Sequence, residues 1–180
     1  MALKSTIYKA DIHIADMDRH YYQNHALTVA RHPSETDERM MVRILAFVLN
    51  AHEALTFGKG LSAEDEPDLW QKDLTGAIDL WIDVGQPDDR QILKACGRAG
   101  KVIIYSYSSN SEIWWSQTGS RIDRAKNLLV YQLPAATSTA LANLAQRSMQ
   151  LQCTIQDGQA WVTGGDQTVQ IDLTLLKAQN

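Results

Sequence analysis

The chain has 180 residues, which is the usual length of one domain. Its hydrophobic content of 44% and charged content of 21% exclude an intrinsically disordered tail protein. The net charge of −4 excludes a bulk polyanion binder, so any contact with nucleic acid needs a local basic patch.

The first half of the chain predicts a hairpin followed by a helix. Apolar residues alternate with polar ones along residues 3–15, as in a half-buried strand, and residues 26–31 predict its partner strand. Ser34 is the predicted N-cap of the next element, with Asp37 three residues further on. Apolar residues then recur at helical spacing, which predicts a helix that ends near Leu55.

The remainder predicts a second hairpin and then alternating helices and strands. Residues 68–72 and 77–84 read as two strands joined by a turn at residues 73–76. The predicted elements that follow are helices over 85–100, 111–125 and 135–148, and strands over 101–107, 127–133, 149–155, 159–163 and 168–173. We therefore expect an α/β protein with a mixed sheet flanked by helices and extra N-terminal and C-terminal strands.

The N-terminal residues, the longest apolar run and the two cysteines predict where the protein is found and the state of its thiols. The first residues carry no pattern of a secretory signal, and the longest strongly apolar run, residues 44–49, is too short to cross a bilayer. We expect a cytoplasmic protein without a membrane partner. Cys96 and Cys153 are then expected to be reduced and buried.

The second hairpin carries the most informative side chains. With residues 73–76 as the turn, Trp70 faces Asp79 and Asp68 faces Trp81, so that Asp68 lies diagonally across from Asp83. Two carboxylates at that spacing can converge on one Mg²⁺ or Mn²⁺ ion, because hard cations take oxygen ligands and keep water in their other positions. The competing interpretation is a solvated sheet face that carries acids by chance.

Two neighbouring features bear on that choice. Trp70 and Trp81 share the predicted face with the carboxylates, and two indoles argue for a covered face, on which buried acids need compensation. Glu38 lies at the border of the apolar stripe of the first helix, where it would approach the sheet. Its alternative role is a boundary glutamate paired with a surface base.

The order of these features resembles the core of the PD-(D/E)XK nuclease superfamily: a helix with an acid, then Pro67-Asp68, then Asp83 at the end of a hydrophobic strand, then a helix and a strand. The whole chain, residues 1–180, is also similar to the YaeQ family of bacterial proteins. The stretches that carry this likeness are residues 2–10, 15–22, 32–40, 66–70, 80–85 and 151–156. The resemblance implies a single domain with a nuclease-like core at about residues 34–133.

The resemblance also implies roles for individual residues. Asp68 takes the place of the motif aspartate, Asp83 that of the second acid, and Glu38 that of the glutamate on the first helix. Gly85 stands where the pattern has the lysine that orients the attacking water, which puts catalysis in doubt. Gln86 could take over that role if Gly85 forms a bulge.

Three functions remain open on the sequence. The first is a divalent-metal-dependent phosphodiesterase that acts on DNA or RNA, with Asp68 and Asp83 as metal ligands and with Glu38 and Gln86 completing the catalytic set. The second is a non-catalytic nucleic-acid-binding or transcription-associated regulatory module that has lost the lysine. The third is a protein-interaction scaffold.

A basic stripe is predicted on the second helix, formed by Arg90, Lys94 and Arg98. It is either a phosphate contact or an ordinary solvated face.

Overall fold

The computed structural model describes residues 4–63 and 65–179, so Leu3, the predicted first residue of the first strand, lies outside the described residues. The strands are β1 (Thr6–Asp16), β2 (Tyr21–Arg31), β3 (Leu55–Phe57), β4 (Leu69–Lys72), β5 (Ile78–Val84), β6 (Ala99–Tyr107), β7 (Leu128–Leu133), β8 (Ser148–Gln156), β9 (Gln159–Gly164), β10 (Gln167–Ile171) and β11 (Thr174–Lys177). The helices are α1 (Asp37–Leu49), α2 (Asp89–Arg98), α3 (Ser111–Thr118) and α4 (Ala135–Ala142).

The chain divides into two compact units. The first unit comprises Met1–Leu49 and Ala136–Asp172, and the second comprises Asn50–Ala135 and Leu173–Asn180. Each unit contains one mixed sheet, so the predicted mixed α/β class is confirmed. The assignment of residues 1–180 to one domain with a nuclease-like core at 34–133 stays a prediction.

The first unit contains a five-stranded sheet in the order β10-β9-β8-β1-β2. The N-terminal and C-terminal strands therefore pair with each other, through the parallel ladder between β1 and β8. One face of that ladder is apolar, because Ile12 lies beside Leu151 and Ile14 beside Cys153, and all four are buried. Ile7 has the opposite parity along β1 and is exposed, so it lies on the other face of the strand from these two isoleucines.

Helix α1 begins two residues later than predicted and ends six residues earlier. Thr36, and not Ser34, is the N-cap, because its Oγ1 accepts the Arg39 amide at 3.1 Å. Ser34 instead pairs with the His32 ring in the preceding turn. The predicted end at Leu55 is also wrong, since that residue lies in β3.

The second unit contains a six-stranded sheet in the order β11-β7-β6-β5-β4-β3. Strands β5, β6 and β7 are parallel, and the other neighbours are antiparallel. Helix α2 connects β5 to β6 and begins at a capping box between Asp88 and Gln91. Its buried residues Ile92 and Ala95 pack in one apolar cluster with Trp81 and Trp114.

The β4–β5 hairpin forms as predicted, but its register is shifted by two residues. Trp70 faces Trp81, where the prediction paired it with Asp79. The turn explains the difference. The Asp73 carboxylate accepts the amides of Thr75 and Ala77, and a bulge shifts the register between Gln71 and Lys72, just before the turn. A shift of two residues keeps every side chain on its predicted face.

The remaining differences concern short elements. Helices α3 and α4 end earlier than predicted, and β3 and β11, which the sequence did not predict, extend the two edges of the second sheet. Among the described residues, no helix combines the length and apolarity needed to cross a bilayer.

Candidate functional site

Asp68 lies immediately before β4 and is only 2% exposed. Its Oδ2 accepts the backbone amide of Val84 at 2.9 Å. Val84 ends β5 and is itself buried, so the carboxylate of one strand satisfies a main-chain donor of its neighbour. Buried polar groups require such partners, which gives Asp68 a definite structural role.

Asp83, on β5, makes the reciprocal hydrogen bond to the main chain of Asp68. Its Oδ1 accepts the Asp68 amide at 3.2 Å, and its Oδ2 accepts the Trp81 indole N–H at 2.9 Å. Extended by one pair beyond Leu69 and Ile82, the observed register sets Asp68 opposite Asp83, where the prediction set the two residues diagonally. The structure thus brings together the two residues that the sequence assigned to a metal.

The loop before β4 covers Asp68. The amides of Gly58 and Gly60 donate to the carbonyls of Asp68 and Pro67 at 3.0 and 3.2 Å. Gly60 has φ +49°, and a Cβ at this position would lie 2.6 Å from Asp68 Oδ1. Any side chain at this position would displace the Asp68 carboxylate, and the left-handed backbone also favours glycine there.

Aromatic rings and cations occupy the same face of the hairpin. Trp70 and Trp81 pack edge to face, with ring centroids 6.1 Å apart. The Lys72 ammonium lies 3.7 Å from the Trp70 centroid, and the Arg98 guanidinium lies 4.9 Å from that of Trp81. The face is covered at Asp68 and Trp81, whereas Trp70 is half-buried and Asp79 is exposed. The two cations lie over indoles, an arrangement that stabilises the charge.

All three residues of the basic stripe of α2, Arg90, Lys94 and Arg98, are exposed to solvent, and two of them have partners at the surface. Arg98 also donates to the Asp65 carbonyl at 2.9 Å, and Lys94 forms an exposed ion pair with the Asp65 carboxylate at 3.4 Å. Arg90 is exposed. An exposed ion pair contributes little to stability, so Lys94 can exchange its partner for a phosphate at small cost.

Gly85 and Gln86 follow directly after Asp83 and Val84. Gly85 has φ +100°, a conformation that glycine adopts without strain and that disfavours the lysine of the nuclease pattern. The Gln86 side-chain amide donates to Ser106 Oγ at 3.2 Å and to the Tyr107 carbonyl. The structure therefore holds Gln86 on β6, where its amide is already bonded.

Glu38 lies on α1 in the first unit, whereas Asp68 and Asp83 belong to the second. Its Oε2 accepts a hydrogen bond from the buried Ser138 hydroxyl at 3.1 Å. This contact differs from the surface base that the alternative interpretation paired with it. The approach of Glu38 to the two aspartates stays a prediction.

The carboxylate oxygens of the hairpin are of the kind that bind a hard cation. Asp68 and Asp83 offer carboxylate oxygens from facing positions, and such oxygens are the ligands of Mg²⁺ and Mn²⁺. Asp79, further along β5, is exposed. Across residues 4–63 and 65–179, no group of three or more His, Cys, Asp or Glu side chains is arranged to hold a metal ion. The two aspartates would therefore be the ligands from the chain.

Two features of the site were missed by the sequence reasoning. The hydrogen bond from Trp81 to Asp83 has a signal, because residues i and i+2 of a strand share one face. The close approach of Gly60 to Asp68 has none, since it depends on the path of a loop.

Comparisons with known proteins agree over nearly the full chain. The family model described as YaeQ protein matches residues 1–173. The protein "Uncharacterized protein YaeQ" of Salmonella typhi is 48% identical over 175 residues, and the protein of that name in Escherichia coli strain K12 is 45% identical over 175 residues. In both comparisons the match covers 97% of this chain and 97% of the relative.

Two solved structures have the same fold. The crystal structure of YaeQ protein from Xanthomonas axonopodis pv. citri matches with a TM-score of 0.93 and 45% identity, covering 97% of this chain and 99% of that one. The YaeQ protein from Pseudomonas syringae matches with a TM-score of 0.94 and 35% identity, covering 97% of both chains. The chain therefore belongs to the YaeQ family.

Proposed function

We propose that the chain is a nuclease-like binding module that holds Mg²⁺ or Mn²⁺ between Asp68 and Asp83 and contacts a phosphate of DNA or RNA without cleaving it. The observation that carries the proposal is the pair of facing carboxylates followed by glycine at the lysine position. A bound divalent cation would neutralise the carboxylates and polarise a phosphate oxygen.

The order of elements supports a relationship to the PD-(D/E)XK core. Along the chain, α1 is followed by the antiparallel strands β3, β4 and β5, then by α2 and the parallel strand β6. The first acid precedes the middle antiparallel strand and the second lies near the end of the third. The first helix, the two acids, the second helix and the strand after it thus occur in the order on which the resemblance rests, and β3 is an addition to it.

We propose binding without cleavage because the chain has glycine where the nuclease pattern has lysine. In the nuclease pattern a lysine two residues after the second acid orients the attacking water. Gly85 has no side chain, and the amide of Gln86 is bonded to β6. A positioned general acid–base or water-orienting group is worth about 10²–10⁴-fold in rate, so without one the site would bind phosphate far better than it cleaves it.

A metal-dependent phosphodiesterase is the second candidate. The observation that favours it is that Gln86 directly follows Gly85 and that its side-chain amide donates to Ser106 Oγ and to the Tyr107 carbonyl, two bonds that other donors could replace. Release of these bonds would free the amide to orient a water molecule. A protein-interaction scaffold, in which the two aspartates serve only as hydrogen-bond acceptors, is the third.

Thermal melting separates the cation-binding proposals from the scaffold. A cation that binds only the folded chain stabilises it by about 2.7 kcal/mol at a hundredfold excess over Kd, which for this size raises Tm by roughly 5–11 °C. We expect this response to Mn²⁺ in the wild type and in Asp79→Asn, which changes an exposed acid of the same strand. Asp83→Asn should lose it. Equal responses in all three proteins at constant ionic strength would contradict the site.

Binding and cleavage of nucleic acid separate the two cation-binding candidates. Fluorescence anisotropy with labelled single-stranded DNA, duplex DNA and RNA should show binding that needs Mn²⁺, weakens with salt and is lost in Asp83→Asn. The labelled strands should remain intact after prolonged incubation. Cleavage that requires both Asp83 and Gln86 would establish the phosphodiesterase instead, and the lack of binding to every strand would favour the scaffold.

A further inference from the structure

Strand β2 forms one edge of the five-stranded sheet of the first unit. It is long for an edge strand, with 11 residues that all pair with β1 in one continuous register. Edge strands expose main-chain donors and acceptors, and proteins usually blunt them with lysine, proline, a bulge or a short length. Between Tyr21 and Ala30, β2 has none of these features and no charged residue other than a histidine.

The direction of its main-chain groups follows from the neighbouring ladders. The Lys9 amide donates to the Arg147 carbonyl, which precedes β8, so odd-numbered residues of β1 point towards β8 and even-numbered ones towards β2. Because Ala10 pairs with Leu27, odd-numbered residues of β2 point back to β1. Even-numbered residues of β2 therefore point outward. The Ala30 carbonyl agrees, since it accepts the Arg43 guanidinium at 3.0 Å.

The outward amides and carbonyls between the hairpin turn and Ala30 belong to Tyr22, Asn24, Ala26 and Thr28. All four residues are exposed, with Tyr22 at 57%. No hydrogen bond to these outward groups is formed by another part of the chain that the structure describes. They form an unpaired row on a regular strand, which is a template for one further antiparallel strand.

We propose that β2 pairs antiparallel with β2 of a second copy of this chain, with Tyr22 opposite Thr28 and Asn24 opposite Ala26 of that copy, so that the two five-stranded sheets join across a two-fold axis. The position of the axis follows from the available groups. A register centred on His25 lets all four outward residues of each copy donate one and accept one hydrogen bond. A register centred on Ala26 would require the Ala30 carbonyl, which Arg43 occupies.

A second copy suits this edge because the strand is complementary to itself. In the proposed register no facing pair contains Asp, Glu, Lys or Arg: Tyr22 faces Thr28, Gln23 faces Leu27, Asn24 faces Ala26, and His25 faces its equivalent. Like charges directly opposite one another would destabilise the pair, and none occurs here. The two-fold contact is isologous and closes without further growth. The paired segment is short, so the dimer should be weak and depend on concentration.

Cysteine cross-linking tests both the partner and the register. His25 would face its equivalent at a non-hydrogen-bonded position, with Cα atoms about 4.5 Å apart, which a disulfide can bridge. Asn24 would lie diagonally from its equivalent, at about 7–8 Å, which a disulfide spans poorly. Under mild oxidation His25→Cys should form covalent dimers an order of magnitude faster than Asn24→Cys. Thr168→Cys, on the opposite edge strand β10, controls for random collision.

Sedimentation velocity tests the non-covalent dimer. The wild type should shift from monomer towards dimer between low micromolar and several hundred micromolar protein. Ala26→Pro, which removes an outward amide, should remain monomeric with a cooperative melt, whereas Thr168→Lys should dimerise like the wild type. A wild type that is monomeric throughout, together with His25→Cys cross-linking no faster than Thr168→Cys, overturns the proposal. Faster cross-linking of Asn24→Cys than of His25→Cys overturns the register.

Discussion

Replacing Asp68 by alanine removes a buried acceptor from the junction between β4 and β5. The Val84 amide, which donates to Asp68 Oδ2 at 2.9 Å, then has no acceptor at a position where both residues are almost completely buried. A hydrogen bond to a charged group contributes about 1.5–3 kcal/mol, and an unsatisfied buried donor costs about 1–3 kcal/mol. We therefore expect Asp68→Ala to lower the free energy of unfolding by about 2–3 kcal/mol and Tm by roughly 4–12 °C.

Two further variants calibrate that measurement, which uses thermal and urea denaturation followed by circular dichroism without added metal. Asp68→Asn retains a carbonyl that can accept the Val84 amide, so its loss should be about 1 kcal/mol. Asp79→Ala changes an exposed acid of the same hairpin and should remain within about 0.5 kcal/mol of the wild type. If Asp68→Ala unfolds at the same denaturant concentration as Asp79→Ala, the assigned role of Asp68 is wrong.

Three other predictions concern single groups. Burial raises the pKa of the Cys153 thiol to about 12, so Cys153 should resist thiol reagents at pH 8 until the chain unfolds; rapid labelling, detected by mass spectrometry, would contradict this. Arg43→Ala should cost about 2–3 kcal/mol in urea denaturation, since buried Glu35 loses its two bonds to that guanidinium and retains its ion pair with Arg39; a loss as small as that of the exposed Arg90→Ala would refute it. Burial lowers the pKa of His25, so the unfolded chain binds its proton more tightly and stability should fall as pH drops through about 6.5; His25→Phe should flatten this dependence, and an unchanged slope would count against it.

Most strands of this fold could be predicted because alternation reports a buried face directly. The apolar positions of β1 and β5 repeat every second residue, and the structure buries that face along β1 and, on β5, at Ile82 and Val84. The hairpin register could not be predicted in the same way. It depends on the Asp73 carboxylate, which organises the turn, and on the bulge at Lys72, and both are set by local hydrogen bonds that leave the alternation unchanged.

For the candidate site, the sequence predicted which face carries the two aspartates, but not the local contacts around them. The sequence placed Asp68 and Asp83 on one face, and the structure places them on facing strands with hydrogen bonds between them. The helix cap was misassigned because Ser34 and Thr36 both suit an N-cap, and only the path of the chain selects Thr36. Likewise, the left-handed backbone at Gly85 and the anchoring of Gln86 on β6 depend on tertiary contacts.

Direct measurement of Mn²⁺ binding tests most sharply whether the facing carboxylates of Asp68 and Asp83 hold a divalent cation. Free Mn²⁺ gives a strong electron paramagnetic resonance signal that falls when the ion binds protein, so a titration counts the bound ions. We expect one Mn²⁺ per chain for the wild type and for Asp79→Asn, competition by Mg²⁺, and loss of the site in Asp83→Asn. The proposed cation site is wrong if Asp83→Asn, shown by circular dichroism to be folded, binds Mn²⁺ as the wild type does.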